Sequence, residues 1–163
     1  MTLCSMLLAA LCAADQGPTV LTWTGNGDGA SVGDEANWSG TPDGGSLDIQ
    51  AISEWLMIDD PTAEVGGTAG ASAMRFTGQG GLEMRAGRIT RSGGSQSLDD
   101  GIVFGIGGTI QRQWIGNCSV RLEGTARIEF SGGGDPVPNG TLIDLGSMTC
   151  GIDFLDETPS AFL

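Results

Sequence analysis

Asn26, Asp28, Asp34 and Glu35 place four oxygen-bearing side chains in one Gly-rich loop. That is ligand chemistry for a hard cation, because Ca²⁺ gathers about six to eight oxygens. Read as an EF-hand-type loop, Thr24 takes the first position, Asn26 the third, Asp28 the fifth, Gly29 the sixth and Glu35 the twelfth. Thr24 lacks the carboxylate of a first ligand, and no helical pattern flanks the loop. A Gly/Asp turn, in which short polar side chains bond the backbone, accounts for the same residues.

Asp59-Asp60-Pro61 and Asp99-Asp100-Gly101 are adjacent carboxylate pairs. Glycoside hydrolysis needs two carboxyls across a sugar, but neighbours on a strand point to opposite faces, so neither pair serves alone. Asp144 and Asp153 are candidates for an acid pair assembled from separate segments. The chain has no His, Lys or Tyr, which excludes Ser-His-Asp and Cys-His nucleophilic sites and a Gly-Lys phosphate loop.

Trp23, Trp38, Trp55 and Trp114 are the large aromatics with a polar edge. Exposed, a pair such as Trp23 and Trp38 could stack on sugar rings; beside Gly-rich turns, Trp also packs over the end of a core. Cys118 shares strand parity with Val120 and Leu122, and Cys150 with Ile152 and Phe154, so both point inward. A disulfide between neighbouring segments and two inert buried thiols both fit that placement. Two Cys without His do not make a four-ligand zinc centre.

The elements that must position these residues are short and extended. Twenty-nine Gly separate segments of period-two alternation: Met74–Phe76, Leu82–Ala86, Cys118–Glu123, Ala126–Phe130, Leu142–Leu145 and Cys150–Phe154. No long window carries a helical period; only Pro159–Leu163 offers a helix start. Leu82-Glu83 with Arg88-Ile89 is echoed by Leu122-Glu123 with Arg127-Ile128, about two turns of roughly 20 residues later. The expected fold is therefore all-β, a short right-handed parallel β-helix, a solenoid of about four coils after residue 70. A β-sandwich is the alternative.

The 163 residues carry a net charge of −13. Residues 15–74 hold ten acids and no base, 75–130 hold seven Arg against five acids, and the remainder holds five acids. That balance opposes nucleic acid and anionic membrane surfaces and is compatible with cations, neutral glycans and other proteins. No apolar run is long enough to span a bilayer. Leu3–Ala14 reads as a signal-peptide core cleaved after Ala14, although no basic residue precedes it. The expected organisation is a leader at 1–14, an acidic capping segment at 15–69 and a β-helix body at 70–163.

Thr22-Trp23-Thr24-Gly25, Asn37-Trp38-Ser39-Gly40 and Pro42, with Ser131–Gly134 and Asp156–Leu163, carry a resemblance. Together they resemble the TWTG…NWS…P opening and the body of secreted bacterial proteins with autotransporter-associated β-strand repeats, common in planctomycete-like genomes. The resemblance implies a passenger-like, secreted or cell-surface β-helix, structural or adhesin-like and non-catalytic. A protein that binds or cleaves carbohydrate is the alternative, with an extracellular glycan or a surface protein as partner. The abrupt ending at Ala161-Phe162-Leu163 leads us to expect a truncated product, since solenoids need capped ends.

Overall fold

The computed structural model describes residues 17–67, 74–90, 97–111, 114–130 and 141–154, with Phe154 placed by its backbone alone. The expected leader, the glycine run at 131–134 and the segment 156–163, including its helix start, lie outside the described residues.

The chain is all-β. Its strands are β1 (Val20–Trp23), β2 (Trp38–Ser39), β3 (Trp55–Ile58), β4 (Glu64–Val65), β5 (Met74–Arg75), β6 (Gly81–Met84) and β7 (Arg88–Ile89). They continue as β8 (Leu98–Asp99), β9 (Ile102–Gly105), β10 (Thr109–Gln111), β11 (Ser119–Leu122), β12 (Arg127–Phe130), β13 (Leu142–Leu145) and β14 (Gly151–Phe154). Short 3-10 turns form at Glu35–Asn37 and Asp43–Gly45.

The strands deal themselves out in rotation to three sheets. A seven-stranded sheet runs β13-β11-β9-β6-β3-β1-β2, a five-stranded one runs β14-β12-β10-β7-β4, and β5 pairs with β8. Every pairing between these strands is parallel except β1 with β2. Antiparallel sandwich sheets are therefore not what the chain builds. Isolated parallel bridges, Ile52 to Phe76 and Leu98 to Ile115, extend the two-stranded sheet at both ends.

Register turns alternation into columns. Leu21, Leu56, Leu82, Val103, Val120 and Ile143 are successive partners in the large sheet. Val65, Ile89, Ile110, Ile128 and Ile152 are successive partners in the second. All but the terminal Ile143 and Ile152 are buried, and those two pack against the core. A one-residue slip would turn a whole strand inside out, so each apolar column fixes the register of its sheet. Burying each such side chain contributes about 1.5–3 kcal/mol before chain entropy is subtracted.

The internal echo is half right. Arg88-Ile89 and Arg127-Ile128 do share one register, through Thr109-Ile110. In the large sheet, however, Leu82 aligns through Val103 with Val120 rather than with Leu122. The reason is uneven turn length. The chain advances 26 residues from Leu56 to Leu82, 21 to Val103 and 17 to Val120. The turn from the large sheet into the second is more regular: Gly87, Gly108 and Gly124 each stand there at positive φ, between 53° and 76°. Thr109 N–H donates to Gly87 O, stacking the left-handed Gly108 on Gly87, and Arg127 N–H donates to Gly108 O three residues after Gly124.

The charge boundary at 69/70 does not interrupt hydrogen bonding. β3 pairs with β6 and β4 with β7, across the change from acidic to mixed sequence.

Candidate functional site

Asn37 organises the leading loop. It is fully buried, and a short 3-10 turn with Asp34 as N-cap presents it. Its Oδ1 accepts from Gly27 N–H at 2.9 Å and Gly29 N–H at 3.0 Å. Its Nδ2 donates to Asp28 Oδ1 at 2.7 Å and Ser31 O at 2.9 Å. Its own carbonyl takes the N–H groups of Thr24 and Gly25. Next to it, Trp38 Nε1 donates to Val32 O at 2.8 Å, and Trp38 meets Trp23 edge to face with centroids 5.1 Å apart.

This geometry answers two sequence readings. Trp23 and Trp38 are 5% and 6% exposed, so of the two placements open to them they take the one over the end of the core and form no sugar platform. The acids proposed for calcium serve the loop's own backbone. Asp28 Oδ1 accepts from the N–H groups of Ala30 and Ser31, Asp34 from Asp28 and Ala36, and Glu35 from Leu47. The Ser31 and Ala30 amides, then Asn37, hold the Asp28 carboxyl below its ordinary value. Asn26 is exposed, and its N–H donates to Thr24 Oγ1. Among the described residues no three His, Cys, Asp or Glu side chains converge on a metal position.

The remaining reactive groups are dispersed. Cys118 precedes β11 in the large sheet and Cys150 precedes β14 in the second, and both are buried free thiols, the second of the two states their placement left open. Desolvation pushes the Cys118 thiol up to about 12, so it stays protonated and unreactive. Cys150 Sγ lies 3.1 Å from Ser147 O and 3.4 Å from Leu122 O. Asp144 sits 3.9 Å from the Arg121 guanidinium, and Asp153 accepts two N–H groups from Arg127 in the other sheet. They therefore do not form an acid pair. Asp60 bonds Thr62 in its own turn.

The open chemistry lies on the outer face of the large sheet. Of the four tryptophans, Trp55 alone escapes burial. Its indole lies across Gly81 of the next strand; a Cβ there would meet Cζ3 at 2.2 Å and Cε3 at 2.7 Å. Beyond Gly81, Trp55 Nε1 donates to Glu83 Oε2 at 3.0 Å, and Arg85 Nε reaches the other carboxylate oxygen at 2.5 Å. Trp55, Gly81, Ile102, Ser119 and Leu142 form one register row. Beside that row, the turns leading into β6, β9 and β11 enclose an open cavity of about 330 Å³, lined by Gln79, Asp100, Ile102, Asn117, Cys118 and Ser119. Asp100 stands at φ 60°, the one described non-Gly residue at positive φ, and Arg75 lies 3.6 Å from it.

Comparison with protein-family models, with curated proteins and with solved structures finds no match. In the sequence Trp55 is one tryptophan of four. The signal that marks it is Gly81, the one strand-opening glycine that leaves room for an indole, and its position opposite Trp55 emerges only with the register.

Glu83 provides a pH test of this face. Burial raises its carboxyl, but the Trp55 N–H and the Arg85 hydrogen bond and charge outweigh burial, and the pKa falls below the ordinary value of 4.5. A carboxyl depressed in the folded state stabilises fully above its unfolded pKa and loses that contribution as pH falls through the folded pKa. Glu83→Gln should therefore lower the urea midpoint at pH 7, and the difference from the parent should shrink steadily below pH 4.5.

Proposed function

We propose that this chain is a short right-handed parallel β-solenoid of the passenger type, exported to the cell surface or medium, where it serves as a non-catalytic structural or adhesive element. The observation that carries this reading is the way the motif residues are consumed. Asn37, Asp28, Asp34, Trp23 and Trp38 all act in closing one end of the stack. Rotation of consecutive strands among three sheets, parallel throughout except β1 with β2, supports the solenoid, and parallel crossover connections are right-handed in nearly all folds. The acidic stretch at 15–69 then acts as the cap, continuous with the body it covers. Calcium has no role in this reading, because the loop's carboxylates already bond backbone amides; a chelator should leave the melting temperature unchanged.

Export is tested by expressing the full chain in a bacterium and sequencing the N-terminus of the protein recovered outside the cytoplasm. A mature chain starting at Asp15 supports the reading. A chain retained in the cytoplasm with residues 1–14 intact overturns it.

A further inference from the structure

We propose that the outer face at Trp55, with the adjoining cavity at Asn117, binds a neutral glycan, one pyranose on the indole and the next in the cavity. This goes beyond the scaffold reading and holds whether or not the chain is exported, so either can fail alone.

The floor of the site is apolar and flat. With Gly81 lacking a side chain, the Trp55 indole rests on the sheet, and Ile102, 53% exposed, stands on the following strand in the same row. Adjacent strands are about 4.8 Å apart, close to the length of one hexose unit, so an extended oligosaccharide laid across the strands keeps pace with the row. Sugar rings present an apolar C–H face, which an aromatic ring recognises at little entropic cost.

The rim supplies polar groups suited to hydroxyls. Gln79 and Asn117 are exposed amides that both donate and accept, and Ser119 places a hydroxyl on the next strand. Asn117 is held from behind: its N–H donates to Asp99 Oδ1 at 3.0 Å and its carbonyl accepts from Asp100 N–H, leaving the side chain to face outward. Asp100, forced into the left-handed region, is the kind of local strain that clusters at binding sites. A cavity of about 330 Å³ lies at the small end of ligand pockets, which run from roughly 300 to 1,000 Å³.

Charge selects the ligand class. Arg75 offsets Asp100, and Arg85 offsets Glu83, so the site offers no surplus cation to an acidic sugar. The whole chain, at −13, repels polyanions. Neutral hexose polymers remain.

The test is calorimetric titration of the full chain with cellohexaose, mannohexaose and xylohexaose, with oligogalacturonate as the acidic comparison. At least one neutral probe should bind with a dissociation constant below about 1 mM, while oligogalacturonate binds more weakly. Asn117→Ala should weaken binding roughly tenfold, and Trp55→Ala should abolish it. Thermal melts accompany both; if Trp55→Ala fails to fold, Asn117→Ala and Trp55→Phe, which keeps a ring and should retain part of the affinity, decide. Absence of binding by all three neutral probes at about 10 mM overturns the proposal. So does affinity unchanged in Asn117→Ala, or tighter binding of the acidic probe.

Discussion

Ile110→Asp should abolish the cooperative fold, whereas Thr109→Asp, one residue earlier, should leave it intact or slightly firmer. Ile110 sits in the middle of the second apolar column, between Ile89 and Ile128, and is about 1% exposed. A carboxylate there has no partner, and an unpaired buried charge costs several kcal/mol even after relaxation. Domains of this size are stable by only about 5–15 kcal/mol, so the loss consumes most of the margin. Thr109 points outward in register between Arg88 and Arg127. A carboxylate placed there meets opposite charge on both sides, which contributes about 0.2–1 kcal/mol per pair in a sheet. Far-UV circular dichroism and urea melts of the two variants measure the contrast. Equal behaviour would mean that residues 109 and 110 do not face opposite sides.

Asn37→Ala should cost about 3 kcal/mol, because it removes from a fully buried side chain four hydrogen bonds, to Gly27, Gly29, Asp28 and Ser31, each contributing about 0.5–1.5 kcal/mol. For a chain of this length that corresponds to a fall in melting temperature of about 10 °C. Asn37→Asp keeps the acceptor for Gly27 and Gly29 but sets a carboxylate against Asp28. Its deficit should be similar at pH 7 and should shrink on acidification, as one of the two carboxyls gains a proton. A loss below about 0.5 kcal/mol, the range of ordinary surface substitutions, would show that Asn37 does not hold the loop.

The strand faces were legible because alternation is a local property. Cys118–Glu123 and Ala126–Phe130 contain β11 and β12, with Cys118, Val120, Leu122, Ala126, Ile128 and Phe130 inward; Leu142–Leu145 is β13, where Ile143 packs on the core while Leu142 and Leu145 are exposed. Parallel pairing was legible from glycine spacing together with that alternation. The leading motif was legible as something unusual, and its residues left a cation loop and a Gly/Asp turn both open. Asn-Gly-Asp-Gly followed by Asp-Glu has the composition of a cation loop. Only the buried position of Asn37 shows that the oxygens turn inward to backbone amides. Trp23 and Trp38 were ambiguous because an indole beside a glycine turn serves equally as a platform or as a lid. What decided between them is their edge-to-face contact and the Trp38 bond to Val32 O, both long in space and invisible to local pattern.

The groove at Trp55 and Asn117 was hidden for a different reason. Its parts come from β3, β6, β9 and β11 or the turns before them, and the spacings of 26, 21 and 17 residues between these strands have no common period to betray the alignment. The ion pairs show the same effect. Arg127 pairs with Asp153, and Arg88 with Glu129 two strands away, rather than Arg127 with its near neighbour Glu129.

The most direct test of the stacked register is a methyl NOE experiment on protein labelled at the isoleucine δ1 carbons. The structure requires cross-peaks from Ile89 to Ile110, Ile110 to Ile128 and Ile128 to Ile152, since each pair occupies adjacent strands about 4.8 Å apart. Ile89 and Ile128, two strands apart, should show none. An isoleucine ladder in that order upholds the account; a direct Ile89–Ile128 contact, or the absence of Ile110–Ile128, contradicts it.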